Sequence, residues 1–385
     1  MRLFYFLFFL YVVSHVYVFA CLRRAFGGGK WQIPAALWLL AMAGSWLLRF
    51  GRPVGSLGEK FQDLTFFWMG FLILFCYCLL AGDVLALLAR LGAWLAKSET
   101  LGRLAVFLRP AHWVPAAIAA GLCLYGYALY EAQHPQVEHV ELVTDKLPPG
   151  GSPLRIVAVA DVHTSSIIGP ARSRAMAEQV AAQKPDILLM AGDLVDSDVA
   201  EKNGEASAWA AVPATLGKFA VTGNHEFYHG LDKSLSFMRR CCFMPLRGEV
   251  IETAGIVIAG VDDSNFKEVS PETVDVMRVL SLAPPDRFIL LLNHKPYYPP
   301  EAVGRFDLQF SGHTHKGQIW PGELIVRHIF GHEQGLNALE ESGRRSLLYI
   351  TNGIGFWGPP VRFLAPPEIT VITLRPPENI SSAAP

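Results

Sequence analysis

Five short clusters of metal-ligand residue types occur between residues 161 and 315. Each cluster follows directly on a short apolar run that predicts a β-strand. Because open α/β sheets bind ligands beyond the carboxyl ends of their strands, the five clusters can converge on one site. A lone Asp-x-His is more often a surface accident, but five such clusters at strand ends favour a shared site. The clusters are Asp161-Val162-His163, Gly192-Asp193-Leu194-Val195-Asp196, Gly223-Asn224-His225-Glu226, Asn293-His294 and Gly312-His313-Thr314-His315.

This mixture of carboxylate, amide and imidazole groups suits the hydrolysis of a phosphate ester. A phosphodiester is anionic and repels hydroxide, so its hydrolysis requires charge neutralisation in the transition state. Two divalent ions about 3.5–4 Å apart provide that neutralisation and generate the nucleophile from a bridging water. Such a pair needs one bridging carboxylate and neutral imidazoles. Mixed ligands of this kind suit Mn, Fe, Zn or Co rather than Ca or Mg. We therefore predict two divalent transition metals, with Mn, Fe or Zn favoured.

The segments around the clusters alternate between short apolar runs and helical patterns, which predicts an α/β domain with buried, partly parallel strands. Glycines at 192, 223 and 312 allow sharp turns and a close approach of ligands. Strands are predicted at Leu154–Ala160, Asp186–Met190, Lys218–Thr222, Ile256–Val261, Phe288–Leu292, Leu308–Phe310, Leu347–Ile350 and Ile369–Leu374. Helices are predicted at Pro170–Gln183, Ala206–Leu216, Leu231–Cys241 and Pro271–Leu280.

The ordered motifs D-x-H, G-D-x-x-D, G-N-H-E, N-H and G-H-T-H resemble those of the calcineurin-like metallophosphoesterase superfamily. The resemblance covers about residues 154–374. It is strongest to membrane-anchored or exported bacterial phosphodiesterases, which have a similar G-H-T-H-x-G-Q block (Gly312–Gln318) and a similar Gly-rich stretch with Pro and Arg (Gly353–Arg362). It implies a four-layer α/β/β/α sandwich with two metals at the strand ends. The hydrophobic N-terminal region is not part of this family pattern.

The resemblance also implies roles for single residues. Asp193 would bridge both ions. His225 would point over the metals as general acid to the leaving oxygen, or as donor to the phosphoryl oxygens, and Asp196 would orient it. Alternatively, Asp196 caps a loop. One ion would be completed by Asp161, His163 and His315, and the other by Asn224, His294 and His313.

One position departs from a branch of the superfamily. Phosphoprotein phosphatases carry an Arg directly after the second Asp of G-D-x-x-D, and this chain has Ser197 there. This disfavours a phosphoserine phosphatase and favours a diesterase. His229, His328 and His332 lie outside the motifs, and we expect them to be bystanders.

The first third of the chain differs in composition from the rest. Residues 1–130 contain 11 Lys/Arg and 4 Asp/Glu, a formal charge of +7, whereas the remainder contains 22 and 30, a formal charge of −8. With 51% hydrophobic residues overall, this asymmetry indicates one part in lipid and another in water. The acidic part argues against nucleic acid as a partner, because phosphates require a basic surface.

Four apolar runs approach the ~20 residues needed to cross a bilayer. The first run could instead be a signal peptide, but no A-x-A-like site follows it. Between the third and fourth runs, residues 90–109 carry apolar residues at helical spacing and four basic residues. They predict a basic amphipathic helix on the membrane surface, or alternatively a solvated loop helix. The four runs are Leu3–Leu22, Trp31–Leu48, Leu64–Leu80 and Trp113–Tyr130.

We therefore divide the chain into a four-helix transmembrane domain (1–130), a linker (131–153), a metallophosphoesterase domain (154–374) and a disordered tail (375–385). The first and third loops between the runs carry seven Lys/Arg, and the opposite side carries five. The positive-inside rule places those two loops in the cytoplasm. The hydrolase domain then faces outward, on the periplasmic side of a bacterial inner membrane.

These features predict a membrane-bound phosphoesterase that hydrolyses a phosphodiester or phosphomonoester of a lipid or lipid-linked substrate by attack of a metal-bridging hydroxide. Alternatives are a cytoplasm-facing pyrophosphohydrolase acting on a nucleotide-linked lipid such as UDP-diacylglucosamine, and a catalytically silent receptor or scaffold. A transporter is disfavoured, because paired charges are lacking and Asp83 lies at the edge of a run. Apolar pairs after the motifs would line an apolar mouth of the site, or alternatively pack inward: Ile167-Ile168, Phe227-Tyr228, Ile319-Trp320 and Phe356-Trp357.

Overall fold

The computed structural model describes residues 2–48, 55–147, 150–199, 202–263 and 271–377. The chain separates into two compact units. The first is Met1–Tyr130 with Gly358–Val361, and the second is Glu131–Trp357 with Arg362–Pro385. Of the predicted disordered tail, Arg375 ends the last strand, and residues 378–385 lie outside the described residues.

The helices of the first unit are α1 (Arg2–Phe26), α2 (Gln32–Leu48), α3 (Gly55–Ala96), α4 (Glu99–Phe107) and α5 (Pro110–Glu131). Three of them contain segments long and apolar enough to cross a membrane: Phe8–Phe26, Gly58–Ala96 and Pro110–Glu131. The second predicted span forms α2, which is apolar but has only 17 residues. At ~1.5 Å per residue, α2 is shorter than the ~30 Å hydrocarbon core of a bilayer. The described residues therefore contain three candidate spans and one shorter apolar helix.

Residues 90–109, predicted as one amphipathic helix, are divided between the end of α3 and α4. Lys97 has a φ of 47°, a left-handed conformation that ends a right-handed helix. Ser98 then caps α4, because its side chain accepts a hydrogen bond from the Leu101 amide at 3.4 Å. The prediction of a continuous helix is wrong, since a serine that caps a new helix replaces the expected helical turn.

Asp83 of α3 forms an ion pair with Arg24 of α1. The Arg24 guanidinium lies 2.9 Å from the Asp83 carboxylate, and the Tyr17 hydroxyl donates to the same oxygen at 2.9 Å. The expectation that this region lacks paired charges is therefore wrong. The three side chains satisfy one another and join α1 to α3, which is a structural role for the pair.

The second unit is built on two six-stranded mixed sheets. The first sheet has the strand order β1-β12-β2-β3-β4-β5 and the second has the order β10-β11-β9-β8-β7-β6, with strand bounds as follows. The strands are β1 (Gln136–Val143), β2 (Leu154–Val159), β3 (Ile187–Ala191), β4 (Lys218–Val221), β5 (Met244–Pro245), β6 (Glu249–Thr253), β7 (Ile256–Gly260), β8 (Phe288–Leu292), β9 (Leu308–Ser311), β10 (Gly335–Glu341), β11 (Arg344–Ile350) and β12 (Glu368–Arg375).

Three buried apolar clusters show how the layers pack. Successive residues of a strand face opposite sides of a sheet, so Ile156 of β2 lies between the two sheets with Leu290 of β8, while Val157 lies on the outer face with Trp209. Helices α6, α7 and α9 cover that outer face, and α11 covers the outer face of the second sheet. The helices are α6 (Pro170–Ala182), α7 (Asn203–Ala210), α8 (Asn224–Tyr228), α9 (Leu231–Arg240), α10 (Pro271–Val274), α11 (Val276–Ser281) and α12 (Gly322–Phe330).

Residues 131–153, predicted as a linker, contain strand β1. This strand pairs in parallel with β12 along its whole length, and Glu141 is ion-paired with Arg375. Val140 and Leu142 pack against the cluster between the sheets. The linker prediction is wrong because an eight-residue ladder fixes the segment in the first sheet. Only residues 132–135 separate α5 from β1.

Candidate metal centre

The five polar clusters follow the carboxyl ends of β2, β3 and β4 in the first sheet and of β8 and β9 in the second. β2, β3 and β4 are parallel neighbours, and so are β8 and β9. The two sheets are joined at this edge, because the His313 amide donates to the Asp161 carboxylate at 3.0 Å. Strand direction therefore explains why residues far apart in sequence meet in one site.

One group comprises Asp161, His163 and His315, whose potential ligand atoms all lie within 4.8 Å of one another. His163 Nε2 is 3.0 Å from His315 Nε2 and 3.9 Å from Asp161 Oδ1. His315 Nε2 is 3.5 Å from the same carboxylate oxygen. All three side chains are buried. Two ring nitrogens and one carboxylate oxygen thus face a common point, as the ligands of a cation do.

A second group comprises Asp193, His294 and His313. His294 Nε2 is 3.1 Å from Asp193 Oδ2 and 3.2 Å from His313 Nδ1. The His294 Nδ1 nitrogen lies 2.8 Å from the Ala191 carbonyl oxygen, which leaves Nε2 directed at the group. Asp193 Oδ2 is also 3.8 Å from His163 Nε2, so Asp193 lies between the two groups.

Asn224 begins α8, next to the second group. The His225 amide donates to Asp193 Oδ1 at 2.9 Å, which fixes the start of α8 against Asp193. The Asn224 side-chain oxygen is buried and accepts no hydrogen bond from the described residues. A buried carbonyl oxygen without a donor is costly unless a ligand or ion satisfies it, and an amide oxygen is a good metal ligand.

Five residues of these groups have a left-handed backbone conformation. Such a conformation costs a residue other than glycine about 1 kcal/mol or more. Several strained backbone conformations at one site are typical of a functional constraint, because the surrounding structure must hold each residue in its left-handed conformation. The φ values are 59° at Asp161, 54° at His163, 52° at Asp193, 67° at His313 and 50° at His315.

Glycine is required beside these residues. At Gly192, φ is 88° and a Cβ atom would lie 2.6 Å from His294 Nδ1. At Gly353, φ is 75° and a Cβ atom would lie 2.7 Å from the Asp161 Cβ. Both positions combine a left-handed backbone with contacts that no larger residue can make.

The electrostatics of the site suit a cation. Burial lowers the pKa of His163 and of His313 to about 3, so both imidazoles are neutral at pH 7 and can offer a lone pair. Burial alone would raise the pKa of Asp193, but His294 and His225 outweigh it and hold the pKa well below its usual value. Burial would likewise lower the pKa of His294, yet Asp193 raises it to about 10. Asp193 thus draws positive charge into a largely buried site, which is what a divalent ion supplies.

His225 and Asp196 form a separate pair at the same edge. His225 Nδ1 lies 2.7 Å from Asp196 Oδ1, and His229 Nε2 lies 3.3 Å from the same oxygen. Burial disfavours the charged form of His225, but Asp193 and Asp196 outweigh it and raise the pKa to about 9. The Asp196 carboxylate thus faces two imidazole rings. The expectation that His229 is a bystander is wrong, because it contacts Asp196.

Glu226 has a structural role that the sequence analysis did not assign. Its buried carboxylate accepts hydrogen bonds from the amides of Asp193 (3.0 Å), Leu194 (2.8 Å), Val195 (3.3 Å) and Gly223 (2.6 Å). It therefore joins the loop after β3 to the loop after β4. The sequence signal for this role was Glu226 itself, which is the last residue of the G-N-H-E motif.

Arg362 was also missed, although the Gly353–Arg362 stretch pointed to it. Its fully buried guanidinium donates to the carbonyl oxygens of His315 and Asn352, each at 2.8 Å, and to that of Gly355. It also lies 3.1 Å from His315 Nδ1. Arg362 thus holds the loop that carries His315 against the loop after β11.

The remaining predicted features lie around the site. His332 is 3.1 Å from the Tyr298 hydroxyl, away from the metal-ligand groups, and His328 is exposed on α12. The apolar pairs divide: Ile168 and Phe356 are buried, whereas Tyr228, Trp320 and Trp357 are exposed. Ring centroids of Tyr228 and Trp357 lie 5.2 and 6.2 Å from that of His225.

Two facing mixed sheets with buried His/Asp groups at their strand ends define a metal-dependent phosphoesterase domain, whose site is typical of dinuclear members. Residues 154–317 match the calcineurin-like phosphoesterase family. The chain is 36% identical over 255 residues to an uncharacterized metallophosphoesterase of Aquifex aeolicus. The aligned region covers 66% of this chain and 96% of the relative. The chain belongs to the calcineurin-like metallophosphoesterase family.

The helical unit is also shared with a relative. The chain is 28% identical over 363 residues to a transmembrane protein with metallophosphoesterase domain from Danio rerio, over 90% of this chain and 80% of the relative. A match of this extent includes much of the first 130 residues. The family match itself is confined to residues 154–317, as expected, so the N-terminal region lies outside the family pattern but is shared with this relative.

Proposed function

We propose that this protein is a membrane-bound, dinuclear metal-dependent phosphoesterase that hydrolyses a phosphodiester or phosphomonoester of a lipid or lipid-linked substrate. The observation that supports this most strongly is the position of Asp193 between two histidine groups, 3.1 Å from His294 and 3.8 Å from His163. A carboxylate so placed can serve two ions at once. Ser197, in the position where phosphoprotein phosphatases carry Arg, favours the diester.

Asp193 is the shared ligand in this proposal, and neutral imidazoles fill most of the remaining positions. Two bound divalent ions neutralise the phosphoryl charge and lower the pKa of water so that it can attack at neutral pH. Imidazole-rich ligands favour Mn, Fe or Zn. Asp161, His163 and His315 would hold one ion, and Asn224, His294 and His313 would hold the other.

His225 supplies the proton in this proposal, and Asp196 orients it. Because His225 Nδ1 is bonded to Asp196, Nε2 is the nitrogen left to reach the leaving oxygen. Asp196 also stabilises the imidazolium form, so that His225 carries its proton at neutral pH. His225 then donates this proton as the ester bond breaks.

A lipid substrate is supported by the aromatic residues that surround His225. Tyr228 and Trp357 are exposed and lie beside its ring, and Trp320 is exposed on the loop after His315. Tyr and Trp are enriched at the boundary between lipid headgroups and acyl chains. Together with the candidate spans in the same chain, they favour a phosphate that is presented at a membrane.

We further propose that α2 is a fourth crossing and that the catalytic unit faces outward. A hydrophobic helix shorter than the bilayer can still cross it at a modest cost in local thinning. Four crossings place the N-terminus and the catalytic unit on the same side. The excess of Lys and Arg in the first and third loops then places those loops in the cytoplasm.

The dinuclear centre is tested with Asp193→Asn in the full chain. We expect wild-type protein to contain about two transition metals, and the variant to lose metal together with turnover of an aryl phosphodiester. Metal content is measured by plasma mass spectrometry. The matched control is Asp307→Asn, which removes a carboxylate bonded to Lys146 (2.7 Å) and to the Ile289 amide, outside the metal-ligand groups. A full metal load with full turnover in Asp193→Asn contradicts the proposal.

A further inference from the structure

Helix α12 presents an apolar face to the outside of the catalytic unit. All nine of its residues are described, and none is buried. Leu324, Ile325 and Ile329 are 59%, 61% and 51% exposed. At about 100° per residue these three side chains share one arc of roughly 140°, in which His328 is also exposed. A helix on a water-soluble domain normally turns such a face toward the core, so this orientation needs an explanation.

Several contacts fix α12 in this orientation. On its less exposed side, the Phe330 ring lies 5.2 Å from that of Tyr297 and 5.8 Å from that of His313. At its start, the Gly322 amide donates to the Ile319 carbonyl at 2.8 Å. At its end, Gly331 has a φ of 74° and donates to the Arg327 carbonyl at 2.9 Å. The apolar face is thus directed outward by a helix anchored to the loop that carries His313.

Two exposed tryptophans lie on loops joined to the start of α12. Trp320 directly precedes the helix, and its amide donates to the Phe363 carbonyl at 3.0 Å. The Trp357 amide donates to the Gln318 side chain at 2.8 Å, and that side chain donates back to the Trp357 carbonyl at 3.0 Å. Trp357 is the residue beside His225. One connected set of loops therefore carries the outward apolar helix, both tryptophans and an edge of the metal centre.

We propose that this surface, the outward face of α12 with Trp320 and Trp357, enters the boundary between headgroups and acyl chains of the bilayer and brings the metal centre to lipid phosphates. The placement of lipid phosphate in the site rests on the proposed function, whereas insertion of the surface can be tested without it.

Features of the chain itself favour a lipid bilayer as the partner of this surface. The described residues of the same chain include three candidate spans. Arg327 of the helix does not favour an acidic partner, because it is already paired with Glu333 at 2.8 Å. Amphipathic helices with Trp and Leu on one face are typical of interfacial membrane contact.

The surface is tested in the full chain reconstituted into vesicles. A small environment-sensitive fluorescent amino acid is installed by stop-codon suppression at Ile325, and separately at Leu282. The control Leu282 is 50% exposed at the end of α11, outside the proposed surface. We expect lipids brominated on their acyl chains to quench position 325 at least threefold more than position 282. Aqueous iodide is expected to give the opposite order.

Two outcomes would contradict the proposal that this surface enters the bilayer. Equal quenching of both positions by iodide, with none by brominated lipid, shows that the face is in water. Protection of position 325 from both quenchers shows that a protein surface, such as a second copy, covers it.

A separate measurement, of kcat/KM, tests whether the surface delivers lipid substrate to the metal centre. Ile325→Glu is expected to lower kcat/KM for a phosphodiester lipid in vesicles about tenfold, while hydrolysis of a soluble aryl phosphodiester stays unchanged. Leu282→Glu is the matched control and should change neither rate. If position 325 is quenched by brominated lipid but Ile325→Glu hydrolyses the vesicle lipid at the wild-type rate, the surface contacts the membrane without delivering substrate. If the wild-type protein hydrolyses neither phosphodiester, the proposed function fails while the quenching result stands.

Discussion

His225 occupies a position from which it could serve either as a metal ligand or as a proton donor. It lies within ligand distance of His163 and Asp193, yet its Nδ1 is bonded to Asp196 at 2.7 Å. A ring bonded on one side to a carboxylate is well oriented to donate a proton from the other. The two roles differ in what removal of the ring does to the metal content.

We expect His225→Ala to keep two metals and to lose about 10²–10⁴ in kcat, the usual contribution of a general acid. The loss should be smaller for a nitrophenyl ester, because its leaving group needs no proton. Turnover of esters with good and poor leaving groups is measured beside metal content, with His332→Ala as the control histidine outside the site. Loss of one metal in His225→Ala assigns His225 as a ligand instead, and an equal loss for both esters assigns it to charge stabilisation.

Glu226 illustrates how much a buried residue without direct contact to substrate can matter. Its two carboxylate oxygens accept four backbone hydrogen bonds from two loops. Replacement by Gln leaves one oxygen and turns an NH₂ group toward the other amides. Each buried donor left unsatisfied costs about 1–3 kcal/mol.

We expect Glu226→Gln to lower the free energy of unfolding by about 2–4 kcal/mol and to weaken metal binding about 10–100-fold, as the loss of an outer support does. Chelator competition gives the affinity, and thermal unfolding in detergent gives the stability. Glu205→Gln, at a buried glutamate 3.6 Å from Lys202 in α7, is the control and should leave metal affinity unchanged. Wild-type affinity in Glu226→Gln contradicts the expectation.

At the scale of elements, the sequence predicted the eight inner strands of the two sheets and missed the four at the edges. Inner strands are buried on both faces, so they appear as continuous apolar runs such as Phe288–Leu292. The edge strands β1, β6 and β10 consist mainly of exposed and half-buried residues, and β5 has only two residues. Such segments resemble loops in a sequence, because pairing with a distant strand, not local composition, makes them strands.

The same distinction applies to the site. Residue types and strand ends sufficed to predict which clusters would come together, because parallel strands place their carboxyl ends at one edge. The supports contributed by Glu226, Arg362 and His229 were not predicted, since their partners are backbone groups or side chains on other loops. The helix predicted over Pro271–Leu280 is interrupted because the Asp275 side chain caps α11 by accepting from the Arg278 amide at 3.0 Å.

Strand β1 leads to a prediction about where the catalytic unit begins. A fragment that starts at residue 131 retains the ladder between β1 and β12, whereas one that starts at residue 154 leaves an edge of β12 unpaired. Exposed strand edges pair with other molecules, so we expect the shorter fragment to aggregate and the longer one to remain monomeric. Size-exclusion chromatography with light scattering distinguishes them. Equal behaviour of the two fragments would show that β1 is dispensable.

At the scale of the whole molecule, the proposed topology decides which substrates the catalytic unit can meet. We expect Ser152→Cys, in a Cys242→Ser background that removes an exposed native thiol, to react with a membrane-impermeant maleimide on intact cells. Lys97→Cys, between α3 and α4, is the reciprocal control and should react only after lysis. Labelling in the reverse order would reverse the topology and make a nucleotide-linked lipid of the cytoplasmic face the better candidate.

The place of β12 in the first sheet also sets an order of events during biosynthesis. β12 lies between β1 and β2, so the last of the described strands to be made must enter between two strands made much earlier. While the ribosome is still translating residues 368–375, the apolar helices have already left the exit tunnel and are available to the insertion machinery. The candidate spans are therefore available for insertion before the first sheet can close. Arg362, which holds the loop of His315, follows all of the candidate ligands in the sequence, so that loop gains this support only after every ligand residue has been made.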